Sequence, residues 1–252
     1  MVISRVPSCR PRLMEVWAVI YDPGLFPDDH SSMNVLFNSS TRRVSPASSD
    51  SIVGKMPVVH LSDGYSLATP GLDPPIAYNI SHDNGLVVMA FAPGTHNPPA
   101  FSIGIDVMKV RIPGRDTVAS FVNSVGDQLT PLEYRSLFAG ISQDETLRRF
   151  FWIWTMKEAY TKALGLGLGF DFRRVEYDIE ANVVRVDNQV PGGWRFSKFV
   201  VNIEEDVYEG VVAEYLGGLE TEIVHESAAR DWSITYDAVE FVEKAIHDLR
   251  QE

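Results

Sequence analysis

The chain has 252 residues, of which 45% are hydrophobic, and its formal net charge at pH 7 is -12. A chain of this size buries one large core or two smaller cores packed together. The acidic balance argues against a nucleic-acid surface, which needs clustered lysine and arginine. No apolar run approaches the ~18 residues of a membrane span, so we expect no membrane-spanning helix.

The cysteine content and the first residues predict the compartment. Cys9 is the one cysteine, so no internal disulfide forms and a reducing compartment is the simpler assumption. The arginines near the start precede an apolar stretch that Glu15 interrupts, which is atypical of a signal peptide. We therefore expect a cytoplasmic protein.

The first hundred residues predict a hairpin and a long irregular segment. Residues 22–57 are rich in Pro, Ser, Asp and Asn without periodicity, as irregular segments are. A short strand before Asp83-Asn84-Gly85 and a second strand from Leu86 to Phe91 predict a hairpin-like pair. The run THNPP then indicates a linker between two halves, residues 1–99 and 100–252.

The next strand is predicted to carry a carboxylate at its end. In FSIGIDVMKV, residues 101–110, apolar side chains alternate with Ser102, Gly104 and Asp106, which indicates a strand with one apolar face. We expect Asp106 to stand over a space that Gly104 leaves open.

Helices and then strands complete the order. Helical spacing extends from Thr117 to Gly140 and from Asp144 to Leu164, and the run TPLE at 130–133 predicts a helix start. Four short strands follow, RRVEYDI, NVVRVD, WRFSKFVVNI and YEGVVAEYL, and residues 237–250 predict an amphipathic helix. Because regular βαβ alternation is missing from this order, the predicted fold class is α+β.

Charged and aromatic side chains share one face of the helix predicted over 144–164. Glu158 and Lys162 are four residues apart, and Trp154 and Phe151 precede Glu158 on the same face. A pair with this spacing is most often a solvated surface pair. Tryptophan and phenylalanine seldom share such a surface, so we expect this face to point into a cleft.

Several common catalytic motifs do not match the chain. The glycines of GLGLGF, residues 165–170, follow a helix and precede strands, which favours a helix end capped by Gly165 over a dinucleotide fingerprint and leaves close ligand approach open. Ser81-His82 lacks a nucleophile elbow, and the histidines lack zinc-site spacing. The carboxylates of Asp106 and Glu158 remain, and oxygen ligands suit Mg2+ with substrate phosphates completing the shell.

Four motifs in order resemble those of the 4'-phosphopantetheinyl transferases, over roughly residues 51–216. They are Gly54-Lys55, NISH at 79–82, IGIDV at 103–107 and W-x-x-K-E-A-x-x-K-x-x-G-x-G at 154–167. The type is the larger pseudodimeric enzyme, and GIDVMK is similar to the human-like branch that serves fatty-acid synthase and the aminoadipate reductase of lysine metabolism. The resemblance implies a monomer of two similar α/β halves about a pseudo-twofold axis, with substrate in the cleft between them.

The resemblance also implies an activity and its site residues. This family transfers the 4'-phosphopantetheine arm of coenzyme A to a serine of an apo acyl or peptidyl carrier domain, with Mg2+, and releases adenosine 3',5'-bisphosphate. Asp106 and Glu158 would bind Mg2+, Glu158 and Lys162 would be catalytic, and the base would be Glu158 or a metal-bound water. The residues that would hold coenzyme A are Gly54, Lys55, Asn79, Ser81 and His82.

The acceptors implied by the resemblance are carrier domains of fatty-acid, polyketide and nonribosomal peptide synthases and of aminoadipate reductase. The chain departs from the family pattern at two places. Met108 stands where many members have a third acidic ligand, so we expect water in that position. Residues 22–50 show no basic G-R-x-x-x-R helix before Lys55, and Met56 separates Lys55 from Pro57.

Two other functions stay open at this point. One is a non-catalytic relative that binds carrier domains and has lost coenzyme A binding. The other is a Mg2+-dependent phosphohydrolase that uses the same two carboxylates.

Overall fold

A computed structural model describes residues 14–21, 76–93, 103–112, 114, 116–166, 170–226 and 233–249. The predictions for Gly54, Lys55 and residues 22–57 fall outside these ranges. The strands are β1 Glu15–Ile20, β2 Ile76–Asp83, β3 Leu86–Pro93, β4 Ile103–Lys109, β5 Val175–Asp178, β6 Val183–Val186, β7 Trp194–Ile203, β8 Asp206–Tyr215, β9 Glu222–His225 and β10 Ser233–Asp237. The helices are α1 Val118–Ser124, α2 Pro131–Leu137, α3 Gln143–Leu164 and α4 Ala238–Leu249. The predicted α+β class is confirmed.

Two four-stranded sheets form the framework. The first sheet has the order β10-β1-β3-β2, the second has the order β4-β8-β7-β9, and β5 and β6 form a separate two-stranded sheet. In the first sheet β1 pairs antiparallel with β3, and β3 pairs antiparallel with β2. In the second sheet β4 pairs in the same way with β8, and β8 with β7. The same three-strand arrangement therefore occurs twice in chain order.

The last strand of the described chain belongs to the first sheet. β10 runs parallel to β1, with Ser233 opposite Val16 and Asp237 opposite Ile20. Neither β1, β9 nor β10 is predicted by the sequence patterns above. The segment after residue 232 thus completes a sheet that the sequence assigns to the other half, whereas the division between residues 99 and 100 stays a prediction.

The predicted hairpin is confirmed as β2 and β3. Its turn residues Asn84 and Gly85 have φ values of 40° and 94°. A two-residue turn with positive φ at both positions matches the right-handed twist of the two strands, which is why Asn-Gly favours it.

The predicted helix boundaries also agree closely with the structure. The hydroxyl of Thr130 and the carboxylate of Glu133 form a reciprocal capping box at the start of α2. Helix α3 begins after Ser142 and ends at Gly165, whose left-handed φ of 68° confirms the predicted cap. The helical stretch predicted between Thr117 and Gly140 is divided into α1, a 3-10 turn at Gly126–Gln128 and α2.

Two hydrophobic cores lie on opposite faces of the second sheet. The first core joins α3 to β7 and β8 through residues that include Phe150, Phe151, Met156, Phe196 and Val211. The second core joins the two sheets through residues that include Val16, Leu86, Val88, Ile105 and Val212. Both faces of β4 are therefore buried, so the predicted single apolar face was an incomplete description.

Gly104 brings α3 against β4. A Cβ atom built on Gly104 would lie 2.1 Å from the carbonyl oxygen of Ala159 and 2.4 Å from the nitrogen of Ala163. The expectation of an open space at Gly104 was wrong, because the backbone of α3 occupies it. None of the helices in the described ranges has the length and apolar character needed to cross a bilayer.

Candidate active site at the junction of the two sheets

An ion pair between β4 and α3 forms the centre of the site. The ammonium of Lys162 donates a hydrogen bond to Oδ1 of Asp106 over 2.6 Å, and it donates a longer one, 3.2 Å, to the carbonyl of Ile105. The Lys162 side chain is 25% exposed and that of Asp106 is 7% exposed. The pair is thus open to solvent from the lysine side.

Ser81 of β2 contacts both members of this pair. Its hydroxyl donates a hydrogen bond to Oδ1 of Asp106 over 2.9 Å, and it accepts one from the Lys162 ammonium over 3.1 Å. Ser81 is itself buried. A side chain from the first sheet therefore completes a cluster whose other members lie in the second sheet and on α3.

Two further side chains of β2 fix this strand against β4. Oδ1 of Asn79 accepts a hydrogen bond from the backbone N–H of Ile105 over 3.0 Å. Oδ2 of Asp83 accepts one from the backbone N–H of Lys109 over 2.8 Å. Asn79, Ser81 and Asp83 share one face of the strand because side chains alternate.

His82 is separated from this cluster. It lies on the opposite face of β2 from Ser81, and it is exposed. Of the residues predicted for the site, the structure brings together Asn79, Ser81, Asp106 and Lys162 with Glu158 beside them.

Glu158 adds a second carboxylate on α3. It is half-buried and lies one helical turn before Lys162. Burial raises the pKa of Glu158 above its ordinary value, and the negative charge of Asp106 adds to that effect while Lys162 opposes it. Burial likewise raises the pKa of Asp106, against the attraction of Lys162. Two carboxylates whose charges repel are held in one cleft.

The oxygen atoms of this cleft fit a hard divalent cation. Oδ2 of Asp106 is buried and has no hydrogen-bond partner among the described residues. Within the same ranges the Glu158 carboxylate also lacks a hydrogen bond, and the charges of Asp106 and Lys162 act on it with opposite sign. No cluster of three or more His, Cys, Asp or Glu side chains suited to a metal occurs in the described part of the chain. A cation here would take carboxylate oxygen from two residues and its other ligands from water or substrate, as Mg2+ does.

An apolar recess opens between the end of β4 and the helices α1 and α3. It has a volume of about 270 Å³. Its wall combines the side of β4 that bears Met108 with aromatic side chains of α1 and α3, including Phe121, Phe151 and Trp154. Phe151 is buried and Trp154 packs on Phe150 and Phe172, so these rings also hold α3 in place.

A second charged pair, which joins α3 to α2, was not predicted. Lys157 lies 2.6 Å from Oε2 of Glu133, and both side chains are fully buried. The Lys157 ammonium also donates hydrogen bonds to the carbonyls of Gln128 and Phe172, both over 3.0 Å. Glu133 accepts hydrogen bonds from the N–H groups of Thr130 and Tyr177. The Lys157 ammonium therefore has three acceptors and is a structural charge that faces away from the cleft. The capping motif TPLE, which contains Glu133, was the one sequence feature that marked this pair.

The fold and site together define an α+β protein whose paired carboxylates and lysine suit phosphate chemistry. The family model of the 4'-phosphopantetheinyl transferase superfamily matches residues 102–210, which contain Asp106, Glu158 and Lys162. A 4'-phosphopantetheinyl transferase pptA of Paxillus involutus is 39% identical over 264 residues, which cover 94% of this chain and 100% of that protein. The chain belongs to the 4'-phosphopantetheinyl transferase superfamily.

Other relatives match shorter stretches. The human L-aminoadipate-semialdehyde dehydrogenase-phosphopantetheinyl transferase is 32% identical over 106 residues, which are 42% of this chain and 32% of the human protein. A phosphopantetheinyl transferase of Thraustochytrium is 27% identical over 146 residues, or 55% of this chain and 49% of that protein. The predicted family and enzyme class are confirmed, and the likeness to the aminoadipate branch is confirmed over these stretches.

Proposed function

We propose that this enzyme transfers the 4'-phosphopantetheine arm of coenzyme A to a serine hydroxyl of an apo acyl or peptidyl carrier domain, with Mg2+, and releases adenosine 3',5'-bisphosphate. The observation that carries this proposal is the meeting of Asp106, Glu158 and Lys162 at one half-buried cleft. Splitting a pyrophosphate requires stabilisation of its charge, and this group of residues supplies it from β4 and α3.

Asp106 and Glu158 would hold the divalent cation, since their unpartnered oxygens fit it. Bound there, Mg2+ neutralises phosphate charge. The ammonium of Lys162 adds positive charge from the other side of Asp106. Its three protons contact Asp106, Ser81 and Ile105. To donate a hydrogen bond to a phosphate, the ammonium must release one of these acceptors. The carbonyl of Ile105 is the most distant of the three.

The chemical step exchanges a phosphoanhydride bond for a phosphoester bond. The serine oxygen of the carrier attacks the pantetheine-bearing phosphorus, and a new O–P bond forms. The P–O bond of the pyrophosphate breaks, and adenosine 3',5'-bisphosphate leaves with the electron pair. Glu158 accepts the serine proton, since a carboxylate with a raised pKa is a better base than an ordinary one.

The remaining predicted residues take part in substrate binding in this proposal. Gly54, Lys55 and His82 would hold the phosphoadenosine end, and the exposed imidazole of His82 is accessible to it. Asn79 would contribute through β2, which it joins to β4. We assign the approach of the acceptor serine to the apolar recess beside Met108, which stands two residues after Asp106 on β4.

The wider setting belongs to the same proposal. We expect a cytoplasmic monomer whose halves are related by a pseudo-twofold axis, which the repeated three-strand arrangement supports. The acceptors would be carrier domains of fatty-acid, polyketide or nonribosomal peptide synthases or of aminoadipate reductase, the last suggested by the names of the partial relatives.

Intact-mass spectrometry of an apo acyl carrier protein tests the proposal. The carrier is incubated with coenzyme A, Mg2+ and either the wild type, Glu158→Gln or Asp106→Asn. Glu205→Gln, an exposed glutamate in the turn between β7 and β8, is the matched control. We expect addition of one phosphopantetheine arm with the wild type and the control, and none with the site variants or with EDTA.

Two outcomes would contradict transfer. An unchanged mass across several carriers, with folded protein and no binding of coenzyme A, would identify a non-catalytic relative. Cleavage of coenzyme A in the absence of any carrier would instead identify the phosphohydrolase.

A further inference from the structure

We infer that Lys157 is a positioning residue for the carboxylate of Glu158, because its buried ion pair with Glu133 sets the rotation of α3 about its own axis. The inference rests on the transferase function proposed above, in which Glu158 binds the cation and accepts the serine proton. Lys157 itself lies outside the cleft and is fully buried, so it acts on the reaction only through Glu158.

Lys157 and Glu158 are consecutive residues of α3 whose side chains point in different directions. Successive side chains of an α-helix are about 100° apart around its axis. Glu158 lies one turn before Lys162, on the side of α3 that meets Asp106. Lys157 points to α2, where its ammonium lies 2.6 Å from Oε2 of Glu133. The helix is therefore held by one charged contact at the cleft and by another outside it.

The contacts of the Lys157 ammonium come from three separate segments. Its three protons are matched by three acceptors, which are Oε2 of Glu133 and the carbonyls of Gln128 and Phe172. These acceptors belong to α2, to the 3-10 turn before α2 and to the 3-10 turn that precedes β5. Because one ammonium joins α3 to all three segments, the helix cannot rotate about its axis without lengthening these contacts.

Glu133 is held as firmly as Lys157. Its Oε2 also accepts a hydrogen bond from the N–H of Thr130, and its Oε1 accepts one from the N–H of Tyr177 on β5, each over 2.8 Å. Both side chains of the pair are fully buried, so neither substrate nor a metal ion reaches them. Lys162, in contrast, is partly exposed and must release an acceptor to bind a phosphate. The buried pair therefore holds the same orientation of α3 whether or not the cleft is occupied.

A small rotation of α3 would displace Glu158 enough to affect the reaction. A helix with its side chains has a radius of about 5–6 Å, so a rotation of about 10° moves a carboxylate at that radius by about 1 Å. A displacement of about 1 Å at a reacting group can lower a rate about 100-fold. The Glu158 carboxylate has no hydrogen-bond partner in the part of the chain that the structure describes, so its position depends on that of the helix.

Two double variants separate positioning from stability. Lys157→Met, Glu133→Gln removes both charges of the pair and leaves neither of them buried alone. Glu133→Gln by itself keeps the shape of the side chain, and it takes the place of this double variant if that protein does not fold. The matched control is Arg148→Met, Glu209→Gln, which removes another ion pair of α3 with a fully buried glutamate. Arg148 lies ten residues before Glu158, or about 15 Å along the helix.

For each folded protein we would measure kcat, the KM of an apo carrier protein and the Mg2+ concentration that gives half of the maximal rate. We expect Lys157→Met, Glu133→Gln to lower kcat by about 10- to 100-fold and to need at least about threefold more Mg2+, since the displaced carboxylate is both base and ligand. The KM of the carrier should change by less than about twofold, because Glu158 moves and the rest of the cleft stays. The control should keep all three values within about twofold, since sites more than about 10 Å apart act independently. An equal fall of kcat in the control would show a general effect of stability and overturn the inference.

Crystal structures of the wild type and of Lys157→Met, Glu133→Gln would show the position of Glu158 directly. We expect its carboxylate to move by about 1 Å or more relative to Asp106 in the variant. If the wild type is active, an unmoved carboxylate or an unchanged kcat would overturn the positioning role and leave the transferase standing. If the wild type transfers nothing and Glu158 still moves in the variant, the proposed function fails and the positioning role stands. If the wild type transfers nothing and Glu158 stays in place, both fail.

Discussion

The Nζ atom of Lys162 lies 2.6 Å from Oδ1 of Asp106, so the last turn of α3 is joined to β4 at the buried carboxylate of that strand. The i,i+4 relation of Glu158 to Lys162 is therefore not an ion pair of the helix surface. Lys162 pairs instead with Asp106 of β4, so the Glu158 carboxylate is left available for other ligands.

Replacement of Lys162 by methionine should reduce kcat by about 100- to 1,000-fold, because it removes a preorganised positive charge from the proposed site of phosphate cleavage. Steady-state kinetics with an apo carrier protein would measure the loss. Lys162→Arg keeps the charge in a planar group and should be intermediate. Equal kcat for the methionine variant and the wild type would show that this charge takes no part in the reaction.

Replacement of Gly104 by alanine should destabilise the protein by at least about 2 kcal/mol, since the new methyl group would meet backbone atoms of α3 that cannot rotate away. Urea denaturation would measure the change. Gly126→Ala is a suitable control, because a Cβ there would have Tyr134 at 3.9 Å as its nearest neighbour. A stable Gly104→Ala protein with normal activity would contradict the close packing of α3 on β4.

Replacing one partner of the buried Lys157–Glu133 pair should lower the free energy of unfolding strongly, and replacing both should lower it by less than the two single losses together. Lys157→Met leaves the Glu133 carboxylate buried without its partner, and we expect a loss of about 3–5 kcal/mol in the free energy of unfolding. The double variant Lys157→Met, Glu133→Gln should be more stable than the sum of the two single losses predicts. Chemical denaturation of the four proteins gives this coupling, and simple additivity would argue against a direct pair.

Glu214 should make the stability of the protein fall as the pH rises from about 4.5 to about 7. Burial raises the pKa of Glu214 to about 7, against the opposing charge of Arg195, whereas the unfolded chain titrates near 4.5. Between these values the folded state holds a proton that the unfolded state has lost, so its contribution is full at low pH and disappears above pH 7. Glu214→Gln should reduce the slope by about 1.4 kcal/mol per pH unit in this interval. Unfolding curves at several pH values would measure it, and identical slopes would refute it.

The parts of the fold that depend on neighbouring residues could be predicted from the sequence. The Asn84-Gly85 turn, the Gly165 cap and the strand β7 have local signals, because turn conformation, capping and alternation are set within a few residues. The motifs around Asp106 and Glu158 likewise marked two carboxylates of the cleft.

Contacts between distant segments could not be predicted in this way. Nothing close to Lys157 in the sequence indicates that Glu133 lies against it, and the alternation around Gly104 shows a missing side chain without showing that a helix fills the gap. The contact of Ser81 with Asp106 depends on how two sheets meet, which no local pattern specifies. The parallel pairing of β10 with β1 likewise joins segments that lie far apart in the sequence, so no local pattern predicts it.

That last pairing has a consequence during protein synthesis. All four strands of the second sheet leave the ribosome before residues 233–237, whereas β1 precedes that sheet in the chain and cannot form its pairing with β10 until those residues have emerged. Domains commonly fold in the order in which they are made. Here we expect the later sheet to be completed first, and the nascent chain to expose an edge of β1 that is open to pairing with other chains until residues 233–237 emerge.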